Sequence, residues 1–138
     1  MKIEVLKEDN TSVFDALFSG VREHNFQNMG PEVSIPLYVI SRDENGNLIG
    51  GVAGRTIYKQ FLIQVVWVDK NSRTTGLGRR LMELAEDEAK KRGCLAAQVD
   101  TLSFQGPAFY GKLGFEEVGK ISGVSESPDR YFLMKKYQ

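Results

Sequence analysis

Arg73-Thr74-Thr75-Gly76-Leu77-Gly78-Arg79-Arg80 combines two closely spaced glycines with three arginines, a composition suited to holding a phosphate-type anion. An apolar run precedes this segment and a helical pattern begins inside it. The first amides of a helix have no internal acceptor and sit at the positive end of its dipole, so they can bind an anion. Gly76 and Gly78 would let a ligand approach the backbone, and Arg73, Arg79 and Arg80 would add positive charge. A tight loop with merely solvated arginines uses the same residues equally well. A P-loop does not fit, because Gly78 is followed by Arg79-Arg80 rather than Lys-Ser or Lys-Thr. A dinucleotide fingerprint would need glycine where Leu81 stands, although Asp100 falls about where its ribose-binding acid would lie.

Two residue types occur once each and narrow the rest of the chemistry. Cys94, the sole cysteine, excludes an internal disulfide and a cysteine metal cluster, and it reads as a small buried apolar residue. His24, the sole histidine, excludes a two-histidine metal site and suits a polar surface role. No metal is expected.

The elements that position the glycine loop follow from periodicity. Lys2 to Leu6 alternates and predicts a first strand, and Val13, Phe14, Leu17, Phe18 and Val21 predict an amphipathic helix with Ser12 and Asp15 at its cap. Leu37–Ile40 and Leu48–Ala53 flank an Asn45-Gly46 turn and predict a hairpin. Phe61 to Val68 is almost continuously apolar, as in a central strand covered on both faces. From Gly76, Leu77, Leu81, Leu84, Ala85 and Ala89 share a helical face, and Lys90-Lys91-Arg92-Gly93 ends that helix. Leu95 to Thr101 completes a βαβ unit whose strands should be parallel. A short helix over 105–113, with Ser103 near its cap and Gly114 closing it, precedes two last strands at Phe115–Gly119 and Tyr131–Tyr137.

With 138 residues, the chain reads as a single domain over 1–138 that buries about two-thirds of its unfolded surface. Apolar residues make up 41% and charged residues 26%, the balance of a soluble globular protein. Basic and acidic residues number 18 each, so neither nucleic acid nor an anionic membrane is expected as main partner. With no apolar leader and no run approaching about 20 apolar residues, a cytoplasmic protein is expected.

Two segments together resemble the GNAT superfamily of N-acetyltransferases. Arg73-x-x-Gly76-x-Gly78 is similar to its pyrophosphate-binding segment, and Phe109-Tyr110-Gly111-Lys112-Leu113-Gly114-Phe115 resembles its second signature, a helix end. They occur in the right order around a βαβ unit, and the likeness extends over roughly residues 37 to 137. The fold it implies is α/β (α+β): a mixed, largely antiparallel twisted sheet with a central parallel βαβ unit and helices on both faces. The donor it implies is acetyl-CoA.

The resemblance also implies roles for particular residues. The backbone from Arg73 through Thr74, Thr75, Gly76, Leu77 and Gly78 to Arg79 would hold the pyrophosphate, and the strand edge Val66-Trp67-Val68 would pair with the pantetheine arm. A strand amide near Val68 would stabilise the oxyanion. Ser103 would touch pantetheine, Lys112 would contribute to coenzyme binding, and Tyr110 would stand near the coenzyme sulfur, unless it is an aromatic packed on the sheet. An acceptor amine with a pKa near 10.4 is free base in only about one molecule per thousand at pH 7.4, so a base or a relay of waters should help. Asp100 is the first candidate for that base, or else a cap of the loop after its strand.

The activity expected is transfer of acetyl from acetyl-CoA to a primary amine of a small molecule, by direct attack. The alternatives are an acyl-CoA-binding regulatory module without turnover, a protein or peptide N-acetyltransferase, and a dinucleotide-binding domain. The expected partners are a small-molecule amine and, at most, a second copy in a homodimer. Segments 25–36 and 122–130 are candidate walls of the acceptor pocket.

Overall fold

A computed structural model describes all 138 residues, which fall into two compact units, Met1–Val33 and Ser34–Gln138. In the first unit, helix α1 spans Thr11–Met29. Its cap is Asn10 rather than Ser12 with Asp15: the Asn10 side chain accepts the Val13 amide at 3.0 Å and the Ser12 hydroxyl at 2.9 Å. The apolar stripe is present, with Phe14 and Phe18 packed at 6.0 Å, yet α1 buries none of its residues. Residues 2–6 form no strand, contrary to the alternation. Alternation creates a strand only where a partner accepts the ladder bonds, and this unit holds no other strand.

The second unit contains a six-stranded sheet in the order β1-β2-β3-β4-β6-β5. The strands are β1 Ile35–Arg42, β2 Leu48–Ile57, β3 Gln60–Val68, β4 Ala96–Leu102, β5 Glu116–Ile121 and β6 Arg130–Lys136. All neighbours are antiparallel except β3 and β4, which are joined through helix α2, Leu77–Lys91. The hairpin turn forms as expected, with Gly46 at φ 85° and the Asp43 carboxylate accepting the Asn45 and Asn47 amides. Helix α3 is short, Pro107–Lys112, and its cap residue is Gly106 rather than Ser103. No helix is long and apolar enough to cross a membrane.

The core of this unit lies between one sheet face and helices α2 and α3. Leu37, Val52, Phe61 and Ile63 meet Leu81, Met82, Ala85 and Ala89 of α2, and Tyr110, Leu113 and Phe115 extend the same cluster, so α2 and α3 share a face. Leu84, expected in that core, is 57% exposed. The buried arc of α2 is centred between Leu81 and Glu86, and Leu84 lies about 130° around the helix from it. Glu86 takes the buried position instead, accepting Lys135 Nζ at 3.1 Å and the Tyr137 hydroxyl at 2.9 Å. Burial first, then the Glu86 charge, raises the Tyr137 phenol above its ordinary value.

Candidate active site

Strands β3 and β4 pair over only three residues, Gln60–Leu62 with Ala96–Gln98, and then part. The cause lies on the other side of β3. Ala53 opposes Val65 while Gly54 opposes Ile63, so Gln64 is an extra residue without a partner on β2. Such a bulge bends its strand and ends regular pairing. Gly54 allows it, since a Cβ there would stand 2.3 Å from the Leu62 carbonyl oxygen. The bulge also reverses the alternation. Phe61 and Ile63, then Val66 and Val68, face the core, whereas Val65 and Trp67 are exposed on the opposite face. The expectation of a β3 covered on both faces therefore fails for its second half.

Between the parted strands is a cavity of about 860 Å³. The Asp69 amide donates to the Ile49 carbonyl at 2.7 Å, and Gly51 is the partner of Trp67. With antiparallel alternation, the backbone bonds of Trp67 are exchanged with Gly51, while the backbone groups of Val66 and Val68 point away from β2, towards the gap. Val66 and Val68 are thus the edge available to an extended ligand. The Val68 carbonyl already accepts Arg73 Nε at 3.0 Å.

At one end the cavity is lined by Arg73, Thr74, Gly76, Leu77, Gly78 and Arg79. Gly76 caps α2 in the left-handed conformation, φ 82°, and no side chain occupies the cap. The first bond of the helix runs from the Arg80 amide to the Gly76 carbonyl at 3.1 Å, so the amides of Leu77, Gly78 and Arg79 precede it and have no helical acceptor. Thr74 has φ 69°, costly for a β-branched residue, and it holds the sharp bend entering the helix. Thr75 does not line the cavity; its hydroxyl donates to the Ser72 carbonyl at 2.6 Å and braces the loop from within. Cations, uncapped amides and a free strand edge are the donor set that a pyrophosphate with an amide-bearing arm requires.

Tyr110 also lines the cavity, at 8% exposure, with Phe109 edge-on at 5.2 Å and Phe115 at 5.7 Å. Burial, followed by the charge of Asp100, pushes its phenol up to about 12. A phenol raised in this way stays protonated near neutral pH and has a proton to donate to a hydrogen bond. Asp100 projects from β4 on the sheet face opposite the core, and its carboxylate is paired with Arg130. It does not cap the following loop, because Gln105 Oε1 accepts the Leu102 amide at 2.9 Å and does so instead. Ser103 is not part of the cavity wall; its amide donates to the Asp129 carbonyl at 2.9 Å, and Phe104 and Gln105 line the cavity beside it. Lys112 lines it from the last turn of α3.

Sequence reasoning missed Phe104, the bulge at Gln64 and the Asp100–Arg130 pair. Arg130 lies 30 residues from Asp100 and meets it only because β4 and β6 are neighbours. The bulge had one legible trace, Gly54 in the interior of β2.

The model of the acetyltransferase (GNAT) family matches residues 4–115. The chain belongs to this family. A curated relative, blasticidin-S acetyltransferase of Streptomyces morookaense, is 34% identical over 94 residues, covering 67% of this chain and 69% of that one. Acetyltransferase Atu2258 of Agrobacterium fabrum is 27% identical over 114 residues, 83% of each chain. A crystallised chain from Agrobacterium tumefaciens shares the fold, with a TM-score of 0.91 at 24% identity over 99% of this chain and 100% of that one. This GNAT protein is thus an acyl-CoA-dependent acetyltransferase with the mixed sheet of its family.

Proposed function

We propose that this acetyltransferase moves the acetyl group of acetyl-CoA directly onto the primary amine of a small molecule. The observation that carries the reading is that Tyr110, from the core side, and Asp100, from the opposite face of the sheet, line the same cavity. Such an arrangement supports a thiol side and an amine side meeting at the gap between β3 and β4.

Acetyl-CoA supplies the activated thioester. The amides and cations from Arg73 to Arg79, with Lys112, hold its pyrophosphate, and the Val66–Val68 edge aligns its extended arm. The amine lone pair attacks the carbonyl carbon, the C–S bond breaks and the thiolate leaves. The Val68 amide stabilises negative charge on the carbonyl oxygen as it develops. Asp100, directly or through water, takes the proton the amine gives up. Tyr110 donates a hydrogen bond to the departing sulfur. At about 12, against about 8.5 for an ordinary thiol, its phenol is too weak an acid to protonate a free thiolate efficiently. Val33 and earlier residues are taken as part of the same domain, which the family match from residue 4 supports.

The small-molecule acceptor is supported by the relative named for blasticidin S. The test is thiol release from acetyl-CoA with a panel of small amines beside lysine-rich and free-N-terminal peptides. Turnover confined to the peptides would replace this reading with a peptide acetyltransferase.

A further inference from the structure

Two aromatic side chains in the wall of the cavity stand outside the core cluster. Trp67 is 43% exposed and Phe104 is 75% exposed, both line the cavity, and neither joins the core cluster. A large apolar side chain left wet on a sheet face is unremarkable singly. Here two of them line one cavity, and the bulge at Gln64 is what turns Trp67 to the exposed face.

That face is also the one from which Asp100 projects. The cavity is electrically polarised: Arg73, Arg79 and Lys112 stand towards its α2 and α3 side, and Asp100 is the single carboxylate in its wall. The partner of Asp100, Arg130, holds it in a pair whose side chains are 43% and 45% exposed. Such a wet pair is weak and yields readily to a competing cation. The cavity wall thus offers one carboxylate and two exposed π faces, of which the indole is the stronger partner for a cation.

Resting on the small-amine reading above, we infer that the acceptor is an arylalkylamine-type molecule, a protonated amine on a short arm beside a flat aromatic or heteroaromatic group. The ring stacks against Trp67 and Phe104. The ammonium is drawn to Asp100, which then receives its proton. A saturated amine of the same size would fill the opening but forgo the stacking, and an anionic acceptor would meet the Asp100 charge.

The test compares 2-phenylethylamine and tryptamine with 2-cyclohexylethylamine, a saturated counterpart of similar size, by thiol release at saturating acetyl-CoA. Values of kcat/KM are compared over the whole range from pH 6 to 9.5, so that the effect of amine pKa is separated from that of the ring. The aromatic amines should be favoured by about tenfold, and Phe104→Leu and Trp67→Leu should each reduce that preference by about three- to tenfold. Phe104 is on an exposed turn, so its variant keeps the fold and reads the stacking alone. Equal kcat/KM for the saturated amine, or a preference unchanged in both variants, overturns the inference while leaving the small-amine reading in place. No thiol release with any of the three amines, while calorimetry still shows acetyl-CoA binding and peptides are turned over, overturns both.

Discussion

A Cβ added to Gly78 would stand 3.2 Å from Cε1 of Phe109, so the first turn of α2 packs tightly against the ring of α3 and any side chain there would have to push that ring aside. The two sequence signatures touch through this contact. Gly78 is small because of Phe109, whereas Gly76 is glycine because of its left-handed φ. Gly78→Val should therefore lower stability by about 1–3 kcal/mol through overpacking, and Phe109→Leu in the same chain should recover part of it. Urea midpoints of the two single variants and the double variant check this. Strictly additive losses would show that the contact relaxes without cost.

Gly76→Asp places a carboxylate at the mouth of the uncapped helix, where a pyrophosphate would sit. Acetyl-CoA affinity should fall by tenfold or more, about 1.4 kcal/mol. Gly76→Asn tolerates the same backbone without the charge and should lose much less. Calorimetry on both variants separates charge from conformation, and equal affinities for Asp and wild type would remove the loop from the coenzyme site.

Tyr110→Phe removes one hydroxyl and should lower kcat about tenfold or more with little change in acetyl-CoA affinity. Its titration gives a second readout. A phenol raised from 10.0 to about 12 favours the neutral form in the folded chain, so its contribution is complete below about pH 10 and is lost as pH rises towards 12. Melting temperatures should fall less between pH 9 and 11.5 in Tyr110→Phe than in wild type. An identical decline would place the alkaline sensitivity elsewhere, with Tyr137 as the other raised phenol.

Asp100→Asn should lower the rate most below the amine pKa and recover at high pH, where free amine is plentiful. Because the Asp100–Arg130 pair is half exposed, stability should change by no more than about 1 kcal/mol. Rate profiles from pH 6 to 9.5 decide the role: superimposable curves would take Asp100 off the catalytic path.

The sequence carried what depends on neighbours along the chain. The Asn45-Gly46 hairpin, the α2 stripe with its glycine-bounded ends and the βαβ order were all legible, because turn chemistry and helical period act over a few residues. The uncapped helix start with its glycines and arginines was legible for the same reason, since it is a local construction. Tertiary structure decided whatever required a partner. Residues 2–6 alternate correctly yet form no strand, Leu84 lies off the arc of α2 that the sheet buries while Glu86 lies on it with Lys135 and Tyr137 as partners, and Asp100 found Arg130 on β6 rather than capping its own loop. The cleft itself belongs to this second class. Nothing in Phe61 to Val68 announces that one residue is unpaired against β2, yet that single extra residue reverses the faces of Val65 to Val68 just where β3 and β4 part, because backbone pairing is a property of two strands and not of one.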